Sequence, residues 1–143
     1  SKKVLSENRE ISKLLVIYGD VLTDQNFNLM EEKLISTNTK ACLLLHKRLN
    51  SNSIVTIGKN SIITDFKERP KNKSHNLDCY VNSGIQLFSR EILDNFPSED
   101  SFDLPRDFYQ ESFHKGILSG IQLTGKRVSI DNKSRLEEAN RIF

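Results

Sequence analysis

Apolar residues fall into short unbroken runs separated by polar stretches, and the period changes from run to run. Ile11–Tyr18 (ISKLLVIY) is rich in branched aliphatics and stops at Gly19. This predicts a central parallel strand covered on both faces. Phe27, Met30, Leu34 and Ile35 follow at spacings of three, four and one, placing an apolar stripe on a helix over Asn26–Asn38, with Asp24 or Asn26 as its cap. Lys40–Lys47 (KACLLLHK) reads as a second buried strand, so strand, helix and strand form a right-handed parallel crossover.

Ser53–Ile57 and Ser61–Phe66 flank GKNS, whose Gly58 and Asn60 suit the positive φ of a hairpin turn. Tyr80–Ser89 predicts a strand with Gly84 inside it, the mark of a bulge or of a close approach to the backbone. Arg90–Asn95, Leu104–Phe113 and Lys133–Ile142 read as helical, and Ile117–Thr124 and Arg127–Ile130 as extended. Strands alternating with helices, without a repeat or a linker, predict one α/β unit.

At 143 residues the chain is long enough for a real core. Its apolar runs fall short of the ~20 residues of a membrane span, so no membrane association is expected, and a soluble, cytoplasmic protein is. Cys42 and Cys79 read as buried or bystander thiols, not as a disulfide framework or zinc site. With 21 basic and 19 acidic residues spread along the chain, there is no electrostatic case for nucleic acid. The one local basic cluster, Lys67–Lys73, reads either as a solvated loop or as a phosphate-binding one.

Four stretches in order, VIYGDVLTD (16–24), ITDFKERP (63–70), YVNSGIQLFSREIL (80–93) and VSIDNKSRLEEAN (128–140), resemble the sugar-1-phosphate nucleotidyltransferases. The nearest resemblance is to guanylyltransferases acting on mannose or heptose 1-phosphates. The resemblance implies a mixed, mainly parallel Rossmann-like sheet flanked by helices. It implies transfer of a nucleotidyl group from an NTP, GTP favoured, to a sugar 1-phosphate, with release of pyrophosphate. The six glycines, at 19, 58, 84, 116, 120 and 125, include no pair close enough for the glycine-rich loop that opens the family's domain. Residues 1–143 therefore read as the C-terminal part of that domain, its N-terminal nucleotide-binding portion missing. Such a piece is expected to fold at least partly, to be inactive alone, and to self-associate through an exposed sheet edge.

The resemblance also assigns roles. Asp20, at a strand end where ligands of open α/β sheets bind, corresponds to a Mg²⁺ ligand, and Gly19 lets the backbone turn close to a ligand. Asp20 read by itself also suits the capping of the following turn. Asp131 corresponds to the second metal ligand, although Asp131-Asn132-Lys133-Ser134-Arg135 replaces the family's Asp-Ile-Gly-Thr-Pro and leaves a helix N-cap as the other reading. Glu68 and Arg69 stand at the family's Glu-Lys, which binds sugar hydroxyls and the sugar phosphate, or are a solvated charged pair. Asn82 and Gly84 stand at Val-Asn-Ala-Gly, which lies against the sugar, with a bulge residue as the alternative for Asn82. His46 reads as a strand-end histidine, since an anionic phosphate nucleophile needs no base. His75 and His114 carry no signal. Two further readings stay open: a non-catalytic binding or regulatory module of the same fold, and a nucleotide-sugar-dependent glycosyltransferase, against which stands the absence of Asp-x-Asp at Asp20-Val21-Leu22.

Overall fold

The computed structural model describes residues 2–48, 51, 53–71, 79–97 and 101–143. A short helix, α1 (Lys2–Glu7), precedes β1 (Lys13–Ile17), β2 (Val21–Thr23), α2 (Asn28–Thr37), β3 (Ala41–Lys47), β4 (Ser53–Ile57), β5 (Ile63–Glu68) and β6 (Tyr80–Ser89). A 3₁₀ segment (Arg90–Asn95) follows. After it a π-helical stretch (Leu104–Tyr109) runs into α3 (Gln110–Ser112), then come β7 (Leu118–Gln122), β8 (Arg127–Ser129) and α4 (Lys133–Ile142). α1 and β2 have no counterpart in the sequence reading, because neither is long enough to show a period.

The main sheet runs β5-β4-β6-β3-β7, with β1 also pairing β6, and β2 and β8 form a separate ribbon. The sheet is mixed and flanked by helices, as expected, but the expectation that it is mainly parallel is corrected. Among the described residues only β3 and β7 pair in parallel; β1–β6, β3–β6, β4–β5 and β4–β6 are antiparallel. β1 and β3 do point the same way, as their crossover requires. Both are antiparallel to β6, which is inserted between them, so the two strands never touch. β1 is accordingly an edge rather than a central strand among the described residues, although its two faces are covered as expected, Leu14 and Val16 packing on one core and Leu15 on the other.

Each face of the sheet carries its own core. On one, Met30 and Leu34 of α2 cover Cys42, Leu44, Ile85 and Leu87. On the other, the segments after β6 bring Phe96, Phe108 and Tyr109 onto Phe66 and Phe88. The Phe96 ring meets both Phe88 and Phe108 edge-on, at 5.6 and 5.0 Å, the geometry aromatic quadrupoles favour. Burial pushes the Cys42 thiol up to about 11, as an inert core cysteine requires.

The Tyr109 hydroxyl is buried without a hydrogen-bond partner among the described residues. Tyr109→Phe is therefore expected to hold or raise stability by up to about 1 kcal/mol, read from the urea midpoint, because it removes an unpaired polar atom and keeps the ring.

Two local expectations also change. Asn60 and Ser61 take the left-handed φ in the β4–β5 hairpin, not Gly58. The N-cap of α2 is Phe27, without a side-chain bond, while Asn26 and Asp24 accept from the amides of Asn28 and Lys126.

Candidate active site

β6 changes partner part-way along one of its edges. Its C-terminal half pairs with β1 as far as Ile17↔Ile85, and its first residue pairs with β4 through Val55↔Tyr80. Residues 81–84 lie in the gap. The strand bulges there, since its register against β3 slips between Leu43↔Gln86 and Leu45↔Asn82. Gly84, at φ 76°, allows the bulge, and Tyr18 donates its amide to the Gly84 carbonyl at 2.9 Å. The gap opens where β1 finishes on one side and where β5 finishes and β4 begins on the other.

Glycine is required at position 84 on two counts: the left-handed backbone, and a Cβ that would lie 2.7 Å from Tyr18 Cδ2. Gly84→Ala is expected to cost at least about 2 kcal/mol by urea unfolding. At Gly19 a Cβ would meet nothing within 4 Å, so Gly19→Ala should leave stability within about 0.5 kcal/mol. The backbone does turn there, the Val21 amide donating to the Tyr18 carbonyl at 3.0 Å, and the space beside Gly19 is open.

The gap gathers polar groups from five segments. Asn82 accepts at Oδ1 from the Gly84 amide (3.1 Å), its own amide donates to Ser53 Oγ (3.1 Å), and its side chain bonds the Tyr18 hydroxyl. Burial pushes the Tyr18 hydroxyl up to about 12, with the Asp103 and Glu68 carboxylates adding to the rise, so the phenol remains a donor at neutral pH. Burial, then Asp103, also push Glu68 upward, with the Arg69 charge acting the other way. Arg69 is 82% exposed at its side chain and 3.8 Å from Glu68. Its backbone sits at φ 46°. Of the basic cluster, Asn72 and Lys73 lie outside the described residues, as does His75.

Asp20 and Asp131 come together through the ribbon. β2 and β8 pair as Val21↔Ser129, and the Ile130 amide donates to the Asp20 carbonyl at 2.7 Å, so Asp131 follows directly on the residue facing Asp20. The exposed Asp20 carboxylate accepts from Ser129 Oγ at 2.7 Å rather than capping its own turn. Nor is Asp131 the helix cap: Asn132 caps α4 by accepting from the Arg135 amide, and its side chain also donates to Asp131 at 2.8 Å. The far end of the ribbon is clasped by the buried Gln25, whose Oε1 accepts from the amides of Thr124 and Gly125, both at 2.9 Å. Among the described residues no three or more His, Cys, Asp or Glu side chains gather as a metal site. Two carboxylates facing open space nevertheless suit Mg²⁺, which keeps most of its ligands as water and phosphate oxygens.

Behind the ribbon, His46 Nδ1 is 2.9 Å from the buried Ser83 hydroxyl. Burial, aided by Arg127 and Arg48, lowers its pKa to about 4, so it is neutral at pH 7 and no proton carrier. A histidine whose folded pKa lies below its unfolded value near 6.5 destabilises the fold once the unfolded chain begins to bind the proton. Stability should therefore fall between about pH 6.5 and 4 and flatten below. In His46→Gln, unfolding measured across that range should lose this part of the slope.

Tyr18, Asp103, Gln25, Arg127 and Arg135 belong to this region without having been singled out in the sequence. Arg127 and Arg135 flank Asp131 in VSIDNKSR, and Tyr18 directly precedes Gly19-Asp20; that adjacency was the available signal.

The family model for nucleotidyl transferases matches residues 1–123, and the chain belongs to that family. The match ends before β8, so Asp131 lies outside it. No curated protein matches the chain. Solved structures share its fold. A Bacillus anthracis protein provisionally described as a glucose-1-phosphate thymidylyltransferase, in complex with a sucrose, aligns at TM-score 0.73 and 16% identity over 98% of this chain and 56% of its own. HddC from Yersinia pseudotuberculosis aligns at 0.73 and 17% identity over 98% of this chain and 59% of its own, and its complex with GMP-PN at 0.72, with the same identity and coverage. The chain thus spans less than two thirds of the length of these structures. No described helix is long and apolar enough to cross a membrane.

Proposed function

We propose that this chain is the sugar-phosphate- and metal-binding part of a sugar-1-phosphate nucleotidyltransferase, a C-terminal portion of that domain. The observation that carries the reading is Tyr18, whose hydroxyl is bonded by the Asn82 side chain and which feels the charges of both Glu68 and Asp20, while the ribbon sets Asp131 next to the residue that bonds Asp20. Asp20 and Asp131 would hold Mg²⁺, which when bound neutralises charge on the reacting phosphates. Asn82 has its Oδ1 partly engaged by Gly84, so its remaining capacity and the Tyr18 hydroxyl are the groups offered to sugar hydroxyls. Glu68, half-sheltered, accepts from a further hydroxyl, and the exposed Arg69 is free to swing onto the sugar phosphate. Open space at Gly19 admits the ligand to the backbone.

A mannose- or heptose-type phosphate and a guanylyl donor are the substrates we favour, on the order and spacing of the four motifs; one of the similar structures binds GMP-PN. The unpaired edge of β1 is where a further strand or a second copy would add. The test is an NMR titration of the chain with mannose 1-phosphate and Mg²⁺. Shifts at Tyr18, Glu68 and Asn82 are expected, and a saturating titration that leaves those signals unmoved would overturn the reading.

A further inference from the structure

Next to the ribbon, on the side of Asp131 that faces β3, lies a cavity of about 280 Å³ whose lining includes His46, Arg48, Arg127, Ser129, Asp131 and Arg135. Asp131 is the one acid that lines it among the described residues. Arg127 is partly buried and donates through Nε to the Ser83 carbonyl at 2.8 Å, which fixes the guanidinium and leaves its Nη groups without a hydrogen bond among the described residues. Arg135 is steadied one turn along α4 by Glu138 at 2.5 Å. Neither Arg48 nor Arg127 forms an ion pair among the described residues.

Three arginines share this partly desolvated wall with one acid, Asp131, and the positive charge left over favours a further anion. The repulsion is visible at Arg127: burial is the main force lowering its pKa, Arg48 and Arg135 lower it further, and only Asp20 opposes them. The neutral His46 adds no charge. Guanidiniums present paired N–H donors that match phosphate oxygens, so an arginine wall beside a strand end is built for a phosphoanion rather than for a carboxylate-free sugar.

We propose that this cavity binds a phosphate or pyrophosphate group, gripped by Arg127 and Arg135 and closed by Arg48. Its use in nucleotidyl transfer rests on the proposed function; the binding itself does not.

The test titrates sodium pyrophosphate into the chain in EDTA, so that no metal at Asp20 and Asp131 can mediate contact, and follows heat and amide shifts. Saturable binding is expected, centred on Arg127, Ser129 and Arg135, and weakening steeply as salt rises. Arg135→Gln and Arg48→Gln should each weaken it at least tenfold. Arg141→Gln, exposed near the far end of α4, should not. Arg127→Gln should also lose binding, but it removes the bond to Ser83, so Arg48 and Arg135 decide the matter if that variant unfolds. No saturable binding, or binding that Arg135→Gln and Arg48→Gln retain, overturns the proposal. Competition by mannose 1-phosphate would identify the ligand as a substrate phosphoryl group, and its absence free pyrophosphate. If the Asn82 and Glu68 signals ignore mannose 1-phosphate while pyrophosphate still binds the arginines, the transferase reading fails and this one stands.

Discussion

Asp20→Asn is expected to remove metal-dependent pyrophosphate release from NTP and sugar 1-phosphate, by a factor on the order of 10²–10³, in any preparation that shows the activity. Asparagine keeps the size of the side chain and can still accept from Ser129 Oγ, which is 2.7 Å from Asp20 Oδ2. The fold should therefore survive. What is lost is the negative charge that a hard cation needs, and with it one of the two carboxylate oxygens. Mn²⁺ provides a readout independent of turnover. In the unchanged protein it should broaden the amide signals of Asp20, Ile130 and Asp131, which the ribbon register brings together; in the variant that broadening should vanish at the same metal concentration. Broadening or turnover that persists in Asp20→Asn would show that the metal sits elsewhere.

Phe108→Ala should cause the largest loss of stability, about 3–5 kcal/mol. The ring is 1% exposed, edge-on to Phe96 at 5.0 Å and tilted against Tyr109 at 5.6 Å. Its removal leaves a hole that backbone on one side and rigid rings on the other cannot close. Domains of this size are stable by roughly 5–15 kcal/mol, so the variant would be marginal. It should also loosen the segment that starts at Asp103, whose carboxylate accepts from the Arg106 amide at 2.9 Å and acts electrostatically on Tyr18 and Glu68. Urea unfolding with an unchanged slope and a much lower midpoint is the expected record. A loss under about 1 kcal/mol would mean that the layer repacks freely.

The amino-acid sequence determined the local structure well, because period and turn chemistry are properties of neighbours along the chain. The apolar runs became β1, β3 and β6, the three–four spacing from Phe27 to Ile35 covers α2, and GKNS closes a hairpin. Gly84 inside a strand marked both a bulge and a close contact. Asp20, Glu68, Asn82 and Asp131 are candidates that the motifs alone supply.

Strand direction could not be read this way, since a buried run looks the same whether its partners run parallel or antiparallel. That β6 enters between β1 and β3 was settled by long-range pairing, and the gap at residues 81–84 exists only because β6 exchanges β1 for β4. The Tyr18 hydroxyl, an ordinary strand-end aromatic in sequence, became part of the site when Asn82 met it across that gap. Likewise Arg48 and Arg135 are 87 positions apart and share a cavity wall only because the end of β3, β8 and the start of α4 converge. Charge balance along a chain says nothing of such clusters: electrostatic energy depends on distance in space, and the tertiary fold alone sets that distance.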